Sequence, residues 1–207
     1  YVGKMESIKS IQKWPGVRVP QPERVKVLIL SESPSYHILT IYRVSRTFDD
    51  ATARKMIFAA AEPGRLLVRI DNFLREMGDS QREEKMDYLG KLFRVGHLIY
   101  LFKEPVDESI GAELPVPNSV HDEIDALLDE GVHIIVALGE TVQSWFEDNF
   151  PVEGLTLIRL PVPSNHVSDW FPSFMERMSR ERGADTLGVR DAMAVQIDML
   201  VRTISAL

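Results

Sequence analysis

Two stretches of this sequence, Val25-Lys26-Val27-Leu28-Ile29-Leu30 and Val132-His133-Ile134-Ile135-Val136-Ala137-Leu138, are short, nearly unbroken apolar runs rich in β-branched residues. A strand with one wet face alternates apolar and polar residues. A run without that alternation marks a strand buried on both faces, the pattern of parallel sheets with helices above and below. His97 to Phe102 and Leu155 to Leu160 read as two further strands. Helical segments separate them. Asp49 to Glu62 stops at Pro63-Gly64, and Leu66 to Met77 precedes Gly78. Ser80-Gln81-Arg82-Glu83 has the form of a capping box and opens a helix to about Phe93. Asn118 or Ser119 caps a helix reaching Gly131, and Thr141 to Asn149, Phe171 to Arg182 and Arg190 to Ile204 complete the set. The expected fold is α/β: a three-layer sandwich with a short, mainly parallel four-stranded sheet flanked by helices. Residues 1–24, punctuated by Pro15, Pro20 and Pro22, read as an N-terminal arm. A chain of 207 residues that is 44% hydrophobic suits a single domain over 1–207.

Composition removes several classes of chemistry. The chain has no cysteine, which excludes disulfides, thiol nucleophiles, cysteine-bound zinc and iron-sulfur clusters. No apolar run approaches the roughly 18 residues of a membrane span, and no signal-peptide succession opens the chain. The expectation is a soluble, cytoplasmic protein without a membrane partner. His37, His97, His121, His133 and His166 never stand four residues apart, and no calcium-loop pattern occurs, so no metal is expected. Glycine-rich phosphate loops, dinucleotide turns and a Gly-x-Ser-x-Gly elbow are absent too, and no cofactor is implied. The net charge of −7 argues against indiscriminate nucleic-acid binding. Its distribution alters that reading: Glu104 to Glu130 holds nine acidic residues and no Lys or Arg, which leaves +2 on the rest of the chain. Arg43, Arg46, Arg54, Lys55, Arg65 and Arg69 follow the first strand and can serve as phosphate contacts or as a solvated helix surface.

In an open parallel sheet, ligands bind beyond the carboxyl ends of the strands. Four loops open there: Ser31 to His37, Lys103-Glu104-Pro105, Gly139-Glu140 and Pro161 to Trp170. The first and last are polar and stiffened by proline, as Ser31-Glu32-Ser33-Pro34-Ser35-Tyr36-His37 and Pro161-Val162-Pro163-Ser164-Asn165-His166.

This ordered set resembles the uracil-DNA glycosylase superfamily over about Val25 to Trp170, nearest the branch with a Gly-Glu-Ala-Pro-Gly first motif. Ser31-Glu32-Ser33-Pro34 stands where Gly-Glu-Ala-Pro stands in that branch. The resemblance implies that Glu32 positions water or stabilises a cationic sugar, with Ser33 and Pro34 beside it. Phe48 is similar to the aromatic that stacks on the extruded base, and Ile135-Val136-Ala137-Leu138-Gly139 to the central strand and its turn. Val162-Pro163-Ser164 occupies the late motif, with Ser164 at the hydroxyl that touches phosphate. Three departures stand out. Val162 replaces the family histidine that stabilises the departing base, Tyr100 falls where an asparagine often reads the base edge, and the branch's cluster-binding cysteines are missing.

Hydrolysis of an N-glycosidic bond needs a carboxylate, an ordered water, a donor for the leaving base and an apolar clamp. Glu32 supplies the first. Phe48 or Tyr36 offers a stacking face, His37 or His166 a replacement donor, and Ser164 and Asn165 contacts to phosphate or base edge. Val167 or Trp170 can act as a wedge during extrusion. Each residue has a plainer role open to it: Glu32 as a cap or ion-pair partner, His166 as a surface or turn residue, Phe48, Tyr36 and Tyr100 as packed aromatics. The leading expectation is a DNA repair hydrolase that excises a damaged or non-canonical base from single- or double-stranded DNA. The alternatives are a catalytically silent relative that binds DNA or a protein partner, and an enzyme on free nucleosides or nucleotides.

Overall fold

The computed structural model describes residues 16–106, 114–163, 166–182 and 186–207. Strand β1 (Val27–Ser31) leads to helices α1 (Tyr36–Ser45), α2 (Asp50–Ala60), α3 (Glu62–Glu76), α4 (Arg82–Leu89) and α5 (Leu92–Val95). Strand β2 (Gly96–Tyr100) precedes α6 (Asn118–Asp129), and β3 (Ile134–Leu138) precedes α7 (Glu140–Asn149). Strand β4 (Thr156–Leu160), a 3-10 turn (Val167–Asp169), α8 (Pro172–Arg182) and α9 (Thr186–Ser205) follow. The four strands pair in the order β2-β1-β3-β4, every pair parallel.

Side-chain alternation divides the core into two layers. Val27, Ile29, Leu98, Tyr100, Ile134, Val136, Leu138, Ile158 and Leu160 face one side and pack on α1 to α5 and α9, through Ile38, Ile57, Phe58, Ile70, Phe73 and Ile197 among others. Leu28, Leu30, Ile99, Ile135, Ala137 and Leu157 face the other, against Ile124 and Leu127 of α6 and Val142 and Phe146 of α7. A sandwich of helices around a four-stranded parallel sheet results, as the apolar runs require. Among the described residues no helix is long and apolar enough to cross a membrane.

Several elements differ from the expected ones. Helix α1 has no expected counterpart; its sequence is rich in Ile, Val, Thr and Tyr, and Ser35 starts it by accepting from the Ile38 amide at 3.4 Å. Helix α2 ends at Ala60, just short of the expected Glu62, and Pro63-Gly64 is not a gap between helices but lies in the first turn of α3, where a missing N–H costs nothing. The Ser80 capping box does not form: Gln81 precedes α4 without a side-chain cap, and Asp79 accepts from the Gln81 amide at 2.8 Å. Neither Asn118 nor Ser119 caps α6, which is entered from Pro117. The described end of the arm is part of the core, with Val17 and Val19 buried and the Val17 amide donating to the Lys103 carbonyl at 2.7 Å.

The edges of the sheet are tied by side chains. On β4 the Arg159 amide donates outward to Oε1 of Gln196 on α9 at 2.9 Å. On β2 the buried His97 places Nε2 3.4 Å from Oε1 of Glu123, whose other oxygen accepts from Lys103 Nζ at 3.4 Å. The hydrogen bond from His97, with the positive charge of Lys103, holds the Glu123 carboxyl down at about 2, whereas burial pushes the Lys103 ammonium below its ordinary value. Glu123 is thus easier to ionise folded than unfolded. Its contribution to stability is complete above its ordinary value of 4.5 and is lost as pH falls toward about 2. Urea unfolding of the wild type and Glu123→Gln between about pH 6 and pH 2.5 should show the wild type's advantage shrinking by on the order of 2 kcal/mol. An advantage independent of pH would show that Glu123 is not coupled to folding in this way.

Candidate functional site at the carboxyl edge

The strand order reverses between β1 and β3, so the crevice of an open parallel sheet lies between Glu32, after β1, and Gly139, after β3. Glu32 is held there by backbone pairing. The Leu101 amide donates to the Ser31 carbonyl and the Phe102 amide to the Glu32 carbonyl, each at 2.9 Å, carrying the β1–β2 ladder past Tyr100. Ser33 is partly exposed and Pro34 buried. The Ser35 cap then presents the first turn of α1, with Tyr36 71% exposed and His37 exposed beside it.

Gly139 has φ 87° and ψ 154°, a conformation essentially restricted to glycine. A Cβ here would also lie 2.7 Å from Cγ2 of Val162, so the turn after β3 and the loop after β4 are in close contact. The Gly139 amide donates to the Leu160 carbonyl at 2.9 Å. Gln143 Nε2 donates to the carbonyls of Ala137 and Leu160 at 3.1 and 3.2 Å, joining the ends of β3 and β4. Between these strand ends and α9 lies a cavity of about 680 Å³ bordered by Glu140, Val162, Asp169 and Met193.

The other flank is built on β2 and α3. Tyr100, 1% exposed, donates its hydroxyl to Oε2 of the buried Glu62 in the first turn of α3. Burial pushes both acids up, the Glu62 carboxyl above its ordinary range and the Tyr100 phenol well above its own. Arg69 Nε donates to the Pro163 carbonyl at 2.9 Å, which fixes the late loop to α3. A second hollow of about 380 Å³ lies there, lined by Ala59, Gly64, Arg65, Val68, Arg69 and Pro163.

The fold therefore gathers Glu32, Ser33, Pro34, Tyr36, His37 and Gly139 at the carboxyl edge. His166 is exposed on the loop after β4, ahead of the 3-10 turn. Ser164 and Asn165 lie outside the described residues. Two expected contacts do not belong to the crevice. Phe48 is 51% exposed but precedes α2, whose Arg54 donates to the carbonyls of Phe93 and Gly96 at the amino end of β2. Since Glu62, just beyond the far end of α2, meets Tyr100 at the carboxyl end of β2, Phe48 stands at the opposite edge from Glu32. Tyr100 is enclosed, its hydroxyl engaged by Glu62, and so does not read a base edge. Of the two wedge residues, Trp170 is buried in the core whereas Val167 is 48% exposed. Arg54, counted among the phosphate contacts, is buried.

Glu62, Gln143, Val68 and the carbonyl of Pro163 were not marked by sequence. Glu62 stands next to the Pro63-Gly64 pair that reads as a helix stop, and only the position of α3 shows it to be an interior carboxyl. Among the described residues no three His, Asp or Glu side chains converge as a metal site would require.

Gly139→Ala should destabilise the protein by about 1–3 kcal/mol, seen as a lower Tm, because it strains the backbone and drives a methyl into Val162. Adding Val162→Ala should recover part of that loss, the part due to collision. Identical losses for Gly139→Ala with and without Val162→Ala would show that the two loops are not in contact.

Compared with protein-family models, with curated proteins and with solved structures, the chain matches none. What it does is therefore read from the chemistry of its own residues.

Proposed function

We propose that the chain is a hydrolase of the glycosylase type that removes a damaged or non-canonical base from DNA, with Glu32 as its central carboxylate. The observation that supports this most is the placement of Glu32 where the strand order reverses, its backbone fixed by Phe102 and its neighbours Tyr36 and His37 exposed. Glu32 would orient a water against the anomeric carbon and take its proton as the water oxygen bonds to that carbon. The C–N bond breaks with its electron pair passing to the base, and the carboxylate offsets the positive charge that develops on the sugar. With Phe48 at the other edge, Tyr36 is the aromatic face available for stacking. His37 or His166 would donate to the departing base. Extruding a nucleotide costs a few kcal/mol, to be recovered by stacking and edge contacts.

Oligonucleotides carrying uracil, hypoxanthine, xanthine or a mismatch, single- and double-stranded, test the reaction by the appearance of alkali-labile abasic sites. Glu32→Gln should slow base release by about a hundredfold or more while leaving Tm within about 1 °C of wild type. Unchanged release in that variant would remove Glu32 from the mechanism.

A second reading has its own support. Val162, at the position of the family's donor, packs its methyl against Gly139 and supplies no proton or hydrogen bond. In that reading the domain is a silent relative that binds DNA or a protein through the same edge. Oligonucleotide binding without base release, in the wild type and in Val162→His alike, would favour it. Release from free deoxynucleosides alone would instead identify a small-molecule enzyme.

A further inference from the structure

Arg65 and Arg69 stand four residues apart on α3 and line the same hollow of about 380 Å³, together with Gly64, Val68 and Pro163. Several other basic side chains of the chain are neutralised by a carboxylate. Arg82 pairs with Asp71, Lys85 with Asp79 and Asp198, Arg159 with Glu147, and Arg190 with Glu176. Among the described residues the Arg65 guanidinium has no hydrogen-bond or ion-pair partner. The carboxyl of Glu62, three residues back, feels its charge, but burial pushes that carboxyl toward its neutral form and its Oε2 is taken by Tyr100. Arg69 donates its Nε to the Pro163 carbonyl and lies 5.7 Å from the Phe171 ring centroid, with no carboxylate paired to it among the described residues. Like charges at this spacing on a helix repel, and a half-buried guanidinium without a paired counter-charge is costly unless something anionic completes it. Among the described residues no acidic side chain lines the hollow.

The occupant is constrained by shape and by position. Gly64 leaves the floor low: a Cβ there would meet the Ala59 carbonyl oxygen at 2.0 Å, so no larger residue fits without moving α2 from α3. The wall is the carbonyl end of Pro163, in the loop that continues from β4 along the carboxyl edge. Two forked guanidinium groups, one fixed at Nε and one without a bonded partner, suit a tetrahedral oxyanion with several acceptor oxygens.

We infer that Arg65 and Arg69 form a phosphate-binding subsite beside the carboxyl edge, its ligand the phosphodiester of a nucleic-acid strand or the phosphate of a free nucleotide. This rests on the proposed function, in which a nucleotide must be held while its base enters the crevice. Arg65 carries the ligand's charge. Arg69 both contacts it and fixes the Pro163 loop, so that phosphate binding and loop position are joined in one side chain.

Because the Arg65 guanidinium makes no hydrogen bond or ion pair among the described residues, Arg65→Gln is the clean variant. Arg94→Gln, exposed on α5 at the amino edge, removes the same charge elsewhere. Fluorescence anisotropy with a labelled single-stranded 20-mer, read over a KCl series, should show Arg65→Gln weakening binding about tenfold near 0.1 M salt and lowering the log–log salt slope by about one. Arg94→Gln should leave both close to wild type, and Tm should stay close to wild type in either variant. Equal effects of the two variants, no effect of Arg65→Gln, or a wild type that binds neither oligonucleotide nor deoxynucleoside monophosphate at millimolar concentration would each overturn the assignment. Arg65-dependent binding of the monophosphate alone would keep the subsite and name the free nucleotide as its source. Base release measured on the same oligonucleotides separates the two ideas. Release with binding indifferent to Arg65 defeats the subsite alone, and Arg65-dependent binding without release defeats the glycosylase reading alone.

Discussion

A parallel strand buried on both faces must bond to other strands and be covered by helices; among the described residues β1, β2 and β3 are of this kind, and β4, with Arg159 exposed, closes one edge of the sheet. Each deeply buried Leu or Ile contributes about 1.5–3 kcal/mol when withdrawn from water, so both faces must be covered for the sheet to exist. Helices α1 to α5 with α9 cover one face, and α6 with α7 the other. The same requirement makes the strands end together, and the carboxyl edge is where their loops are free to carry polar residues. Glu32 and Gly139 border the crevice because β1 is central and β3 is its neighbour.

The strands were legible because an unbroken apolar run leaves little alternative, and the position of Glu32 followed from the end of the first one. Helix α1 was not. Tyr36-His37-Ile38-Leu39-Thr40-Ile41 has the β-branched and aromatic content of a strand, and it is helical because Ser35 caps it and Ile38 reaches the core. Pro63-Gly64 has the composition of a stop yet lies inside a first turn, where proline needs no partner and glycine lets α3 pass close to the Ala59 carbonyl. Phe48 was misplaced for a different reason: its edge depends on the direction of α2, which only the contacts of Arg54 and Glu62 with the two ends of β2 reveal. Tyr100 reads equally as a base-edge position or as a packed core aromatic until its partner, 38 positions away, is known.

The loop after β4 is fastened on both sides by consecutive residues. Val162 touches Gly139, and Pro163 accepts from Arg69. The carboxyl edge is thereby divided into a cavity bounded by α9 and a smaller basic hollow on α3. Glu140, Asp169 and Arg159, the last paired with Glu147, border the first, whereas Arg65 and Arg69 border the second, so the two compartments differ in charge balance although one short loop separates them.

The bond from the Arg159 amide to Gln196 has a consequence for assembly. The outer rim of β4 would otherwise offer a donor to any extended chain, including another copy of the same strand. A glutamine side chain from α9 occupies that donor, and the Arg159 side chain itself is held by Glu147. That donor is thus satisfied from within the chain, and cross-β growth through it would first have to displace a side chain already bonded in place.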